Sequence, residues 1–169
     1  MRLKYNNLDS FSSLLPTLVQ LRDCITRRHL LGATARTPAV PQKQLIACVD
    51  DDVSAREALE GFLKAFGFTP DVFSSAEEFL QSDRLDEAAC LITDLQLRGM
   101  SGLQLQTRLA ASGYRIPVII ITAFPDDRVR ERALSAGAVG FLDKPFDKED
   151  LLTRIRSALD RRHGNGRHP

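Results

Sequence analysis

The chain has 169 residues, 43% of them hydrophobic and 27% charged, and a formal net charge of +1. Those totals suit one globular domain of ordinary size with extras, and no run is apolar enough to span a membrane. The charge is uneven: seven Lys/Arg against two Asp leave residues 1–44 at +5, thirteen against twenty acidic residues leave 45–160 at −7, and three Arg leave 161–169 at +3. A body of that sign is not a DNA-binding domain by charge, and it is compatible with a cation site.

The N-terminus has an early Arg2 and Lys4, but Asp9, Ser12, Ser13, Pro16 and Gln20 interrupt its apolar positions, so it is a poor secretory signal. Residues 1–43 read as an extension. In "SLLPTLVQLRDCITRRHLL", Leu14, Leu18, Leu21 and Ile25 recur at helical spacing, which predicts one amphipathic helix over about residues 16–31. Such a helix either frays alone in solution or serves dimerisation or docking. A start upstream of the true one is a further alternative. "GATARTPAVPQKQ" is a small, polar, proline-bearing linker. Of the three cysteines, Cys24, Cys48 and Cys90, the last two fall in apolar runs and read as small core residues. No disulfide framework is visible, which points to a reducing cytoplasm.

From Leu45 the pattern changes and repeats. "LIACV" is a continuous apolar run, short enough for a strand buried on both faces. "SAREALEGFLKAFGF" predicts a helix with Leu59, Phe62, Leu63 and Phe66 on one face, Ser54 and Glu57 at capping-box spacing, and Gly67 as its stop. "TPDVF" is a short strand, and Ser75 with Glu78 repeats the capping spacing before "AEEFLQS". "ACLITD" is a third strand, and a third helix begins near Ser101 and carries Leu103, Leu105 and Leu109. "PVIIIT" is the fourth strand. "DDRVRERALSAGA" predicts a charged, exposed helix with Val129, Ala133 and Leu134 inward. "VGFLD" is the fifth strand. "KEDLLTRIRSALDRR" is the fifth helix, with Asp147 as cap and Leu151, Leu152, Ile155 and Leu159 inward; residues 162–169 read as a disordered tail.

Buried apolar strands alternating with amphipathic helices predict an α/β fold with a parallel sheet covered on both faces. In such sheets the site lies outside the carboxyl ends of the strands. Strand 1 ends in Asp50, Asp51 and Asp52, strand 3 in Asp94, strand 4 in Thr122, and strand 5 leads to Lys144 and Pro145. Two carboxylates ~4 Å apart repel by about 4 kcal/mol at an effective dielectric of ~20. A hard divalent cation removes that cost, and Mg2+ commonly joins carboxylates to a phosphate. Asp94 can then be a nucleophile that forms an aspartyl phosphate, with Lys144 and Thr122 on the phosphoryl oxygens.

In order, "VDDD", "LITDL", "GMSG", "IIITA" and "FLDKPF" resemble the response-regulator receiver domain of two-component signalling, over about residues 44–161. The resemblance implies a doubly wound five-stranded sheet of order 2-1-3-4-5, flavodoxin-like, with helices on both faces. It implies that Asp94 accepts a phosphoryl group from a sensor histidine kinase or a phosphotransfer protein. It implies Mg2+ on Asp51, Asp94 and the Gln96 backbone carbonyl, with Asp50 acting through a metal-bound water. Thr122 and Lys144 are to contact the phosphoryl oxygens, Thr122 moving toward them while Phe141 swings inward as the switch partner. Asp52 is to support the acidic pocket without ligating, and the Lys144–Pro145 bond is to be cis.

Gln96 and Phe124, two residues after Asp94 and Thr122, are expected to flank the path of an attacking water and to tune the lifetime of the phosphorylated state. Similar receivers usually carry Met-Pro where Leu97 and Arg98 stand. Few residues follow the last helix, so a single-domain regulator is expected: a switch with no turnover of an external substrate, acting on a downstream protein, with no membrane or direct DNA contact. Its readout surface, and the route to a homodimer, is to be helix 4, strand 5 and helix 5, with Arg128, Arg130 and Arg132 on a solvated face. Two alternatives stand beside this reading. One is a receiver-fold binding module that no kinase phosphorylates. The other is a haloacid-dehalogenase-type phosphatase using Asp50 and Asp52, for which "DKPFDKED" supplies no later acidic pair at a strand end.

Overall fold

The structure, a computed structural model, describes residues 43–164. The predicted helix over 16–31, the linker up to residue 42 and Cys24 lie outside the described residues. The elements alternate along the chain: β1 (Leu45–Val49), α1 (Val53–Ala65), β2 (Thr69–Phe73), α2 (Ala76–Leu80), a 3-10 turn (Leu85–Glu87), β3 (Cys90–Asp94), α3 (Gly102–Ala111), β4 (Val118–Thr122), α4 (Asp127–Ser135), β5 (Gly140–Asp143) and α5 (Lys148–Gly164). All four strand pairings are parallel and the order is β2-β1-β3-β4-β5.

Two cores follow from the strand period of two. Leu45, Ala47 and Val49 face one side, where they meet Ala76 and Phe79 of α2, Leu105 and Leu109 of α3, and Ala133 of α4. Ile46 and Cys48 face the other, against Leu59 and Leu63 of α1 and Leu151 and Ile155 of α5. Burial on both faces is why these strands read as continuous apolar runs, with no alternation. Each fully buried Leu or Ile stabilises by roughly 1.5–3 kcal/mol.

The helix starts show where local chemistry and spacing part. The cap of α1 is Asp52, not Ser54: its Oδ1 accepts from Ala55 N at 2.8 Å. The third aspartate of the acidic run is thus spent on satisfying a free helix amide. Ser75 caps α2 as expected, but Glu78 reaches past it to Ser74, accepting from its N and Oγ at 2.7 Å. Those bonds hold the exposed Glu78 carboxyl below its ordinary range. Ser101 and Gln104 complete a reciprocal capping box on α3. Gly67 closes α1 at φ +83, a left-handed position that favours glycine.

Two residues of the predicted apolar faces are placed differently. Phe66 is 42% exposed and leans on Phe62. Leu134 is 47% exposed, because Ala133 and the half-buried Val129 already close α4 against the sheet. Arg130 is not on a solvated face, as described below. In addition, α5 runs to Gly164, beyond the expected start of the tail at 162; Arg162 is helical and donates to the carbonyls of Ala88 and Asp86. No helix of the described residues is long and apolar enough to cross a membrane.

Candidate functional site

The carboxyl ends of β1, β3, β4 and β5 meet at one edge of the sheet. In register, Val49 pairs with Thr93, Asp94 with Ile121, and Thr122 with Asp143. Residues one or two beyond these positions therefore share a small space, which is how chain segments far apart in sequence deliver polar groups to one place.

Lys144 is the centre of that space. Its Nζ donates to Asp94 Oδ2 at 2.5 Å and to Asp50 Oδ2 at 2.9 Å. Asp50 is only 2% exposed. Its other oxygen accepts from Asp52 N at 2.9 Å, and its carbonyl accepts from Arg56 Nη1 at 2.6 Å. Asp94 Oδ1 accepts from Gln96 N at 2.8 Å. Burial opposes the charge on Lys144, but the hydrogen bonds to Asp94 and Asp50 outweigh it and hold the ammonium above the ordinary lysine range. The Lys144–Pro145 peptide is cis, as expected, and Lys144 N donates to Thr122 O at 2.7 Å.

Asp51 has a different partner. Its Oδ2 lies 3.2 Å from Arg98 Nε. The clustering of the first two aspartates is thus offset by two cations from elsewhere in the chain, and the third is a helix cap. Thr122, wholly buried, has its hydroxyl turned to the backbone: Oγ1 accepts from Phe124 N at 3.1 Å and donates to Phe124 O at 3.3 Å. The ring of Phe124 is 66% exposed.

Phe141, expected to swing inward, is already 2% exposed in this structure. Arg130 Cζ stands 4.9 Å from its ring centroid, and Arg130 Nη2 donates to both oxygens of Asp143, at 2.8 and 2.6 Å. Arg130 was expected with Arg128 and Arg132 on a solvated face; the acidic residue two along from Phe141 on β5 was the signal that it had a partner.

Gly102 was also missed. A Cβ there would lie 2.3 Å from the Asp94 carbonyl oxygen, so only glycine allows α3 to start this close to the end of β3. Its signal was the second glycine of "GMSG", eight residues after Asp94.

The donor set of Asp51, Asp94 and the Gln96 carbonyl, with Asp50 behind them, consists of oxygens alone, which suits a hard cation that keeps several waters. Among the described residues no group of three or more His, Cys, Asp or Glu side chains converges as a closed metal cage. A Mg2+ site of two carboxylates, one carbonyl and waters needs no such cage.

Residues 46–156 match the family described as the response regulator receiver domain. The chain is 40% identical to nodulation protein W of Bradyrhizobium diazoefficiens over 119 residues, covering 70% of this chain and 52% of that protein. It is 40% identical to the response regulator protein TmoT of Ectopseudomonas mendocina over 132 residues, covering 78% and 60%. The chain thus spans only about half the length of the curated relatives it matches. Among solved structures, the crystal structure of FixJ-N is similar at a TM-score of 0.64 and 34% identity, over 70% of this chain and 95% of that one.

Proposed function

This chain belongs to the response regulator receiver domain family, and from that premise we propose that it takes a phosphoryl group onto Asp94 from a sensor histidine kinase or a phosphotransfer protein. The observation that carries the proposal is the Lys144 ammonium, bridging Asp94 and Asp50 at the sheet edge. An aspartate so held is oriented by two donors, Gln96 N and Lys144 Nζ.

A carboxylate oxygen of Asp94 attacks phosphorus, the bond from phosphorus to the donor's imidazole nitrogen breaks, and an acyl phosphate forms. As charge moves outward onto the phosphoryl oxygens, Lys144 follows it, and the Thr122 hydroxyl leaves the Phe124 backbone to donate to one of them. Asp51, Asp94 and the Gln96 carbonyl would hold Mg2+, with Asp50 through a water, and the bound ion would supply charge neutralisation.

Phosphorylation adds roughly two negative charges at the sheet edge. Taking a switch from 1% to 99% active requires a preference of ~5.5 kcal/mol for the active state. New charge-assisted bonds from Lys144 and Thr122 act in that direction, and Phe141 on β5 passes the change to α4, β5 and α5. That face is the readout surface for a downstream protein or a second copy of the chain. We expect a cytoplasmic switch with no turnover of an external substrate. Gln96 and Phe124, beside the reacting group, set how long the acyl phosphate survives.

The test is incubation with acetyl phosphate and Mg2+, read by intact mass beside Asp94→Asn. One added phosphoryl group, absent from the variant and abolished by EDTA, supports the proposal. No adduct under conditions that label a control receiver, and none from a panel of kinases, would leave a receiver-fold binding module as the better reading.

A further inference from the structure

We infer that Arg98 is a tethered competitor for the divalent cation: it occupies Asp51 when the metal is absent and weakens metal binding. The inference rests on the Mg2+ reading above. Of the carboxylates assigned there as direct ligands, Asp94 shares Lys144 with Asp50, whereas Asp51 has Arg98, with Nε 3.2 Å from Oδ2.

The loop that carries Arg98 is anchored on both sides. Leu97 before it is 9% exposed and packs into the core with Leu95 and Leu105. After it, Gly99 turns at φ +82 and Met100 N donates to Glu77 Oε1 at 3.1 Å. Between these anchors the guanidinium reaches back across the site while its side chain stays 91% exposed. An exposed partner is a weak one, so it can be displaced. It is still a positive charge at the Asp51 carboxylate, and it opposes a divalent cation placed on the same group.

Metal binding would then weaken the Arg98–Asp51 pair and bring a divalent ion beside a guanidinium. Both costs vanish when the charge is removed. From the Coulomb energy of such charges in a solvent-exposed setting, removal should tighten Mg2+ binding about three- to tenfold. Phosphorylation at a given Mg2+ concentration becomes correspondingly less dependent on Arg98 as the metal approaches saturation.

The experiment is calorimetric titration of MgCl2 into the full chain and into Arg98→Gln and Arg98→Lys, at low and at about 1 M salt, where charges are screened beyond ~3 Å. Arg98→Gln should bind Mg2+ about three- to tenfold tighter at low salt, Arg98→Lys should stay near the parent, and the gap should close at high salt. Equal affinities for parent and Arg98→Gln, or weaker binding by Arg98→Gln, overturn the inference and leave the metal reading intact. Absence of Mg2+ binding in all three proteins, each folded by circular dichroism, overturns the metal reading and this inference with it.

Discussion

Lys144 Nζ lies within hydrogen-bond reach of both Asp94 and Asp50, so one ammonium at the end of β5 neutralises the carboxylates ending β3 and following β1. Removing it leaves two poorly solvated carboxylates facing each other. Lys144→Ala should therefore lose about 2–3 kcal/mol of stability, below the full cost of breaking a wholly buried pair because Lys144 is partly exposed. Saturating Mg2+ should restore part of the loss. Urea unfolding of both proteins with and without Mg2+ measures both effects.

The same ammonium gives a pH signature. Its folded-state pKa is raised above the ordinary 10.5. A raised basic group contributes stability that is fully present below the unfolded value and is lost as pH rises through the folded one. The stability difference between wild type and Lys144→Ala should therefore be flat through neutral pH and shrink only above about pH 10.5. Urea midpoints measured for both from about pH 5 to about pH 11 test this, and a gap that shrinks on acidification below about pH 7 instead would count against it.

Gly102 fixes where β3 hands over to α3. A methyl group there would sit 2.3 Å from the Asp94 carbonyl oxygen, and backbone, unlike a flexible side chain, cannot step aside. Gly102→Ala should cost about 1–3 kcal/mol and reduce labelling by acetyl phosphate, since Asp94 must move to relieve the contact. Full stability together with full labelling would mean the two elements separate freely.

The strands, their order of burial and the gathering of Asp50, Asp51, Asp94, Thr122 and Lys144 at one edge were legible because they follow from period and from a topological rule. What was not legible depends on three-dimensional partners. Asp52 displaced Ser54 as the α1 cap because the chain enters the helix directly from the acidic run, two residues earlier than the capping spacing suggested. Leu134 points outward because its neighbour Ala133 already meets the sheet. Arg98 read as a stiff proline lost from a loop, when its consequence is a cation gained over Asp51. Reading α4 as a charged, exposed helix does not show that Asp143 at the end of β5 pairs with Arg130.

That Arg130–Asp143 pair is half-buried, with side-chain exposures of 34% and 43%, and the guanidinium also covers Phe141. It should couple more strongly than a bare surface pair. A double-mutant cycle of Arg130→Ala and Asp143→Ala is expected to give a coupling of about 1 kcal/mol. Arg130→Ala alone should cost more than Asp143→Ala, because it also loses the contact with the ring, worth roughly 0.5–1 kcal/mol. Equal single-variant costs with no coupling would put the pair among surface contacts that contribute nothing.

Phe124 offers a test of how the acyl phosphate is protected. Its backbone holds the Thr122 hydroxyl through two hydrogen bonds, while its ring stands 66% exposed beside the site. Phe124→Ala keeps the backbone bonds and removes only the ring, so the Thr122 hydroxyl remains free to turn toward a phosphoryl oxygen. The attacking water then meets less apolar cover. Autodephosphorylation should run about two- to fivefold faster, a barrier change of well under 1.4 kcal/mol, while the yield of initial labelling stays the same. Decay of the phosphorylated mass after removal of acetyl phosphate gives the lifetime directly. An unchanged or longer lifetime assigns protection to other groups, with Gln96 the next position to change.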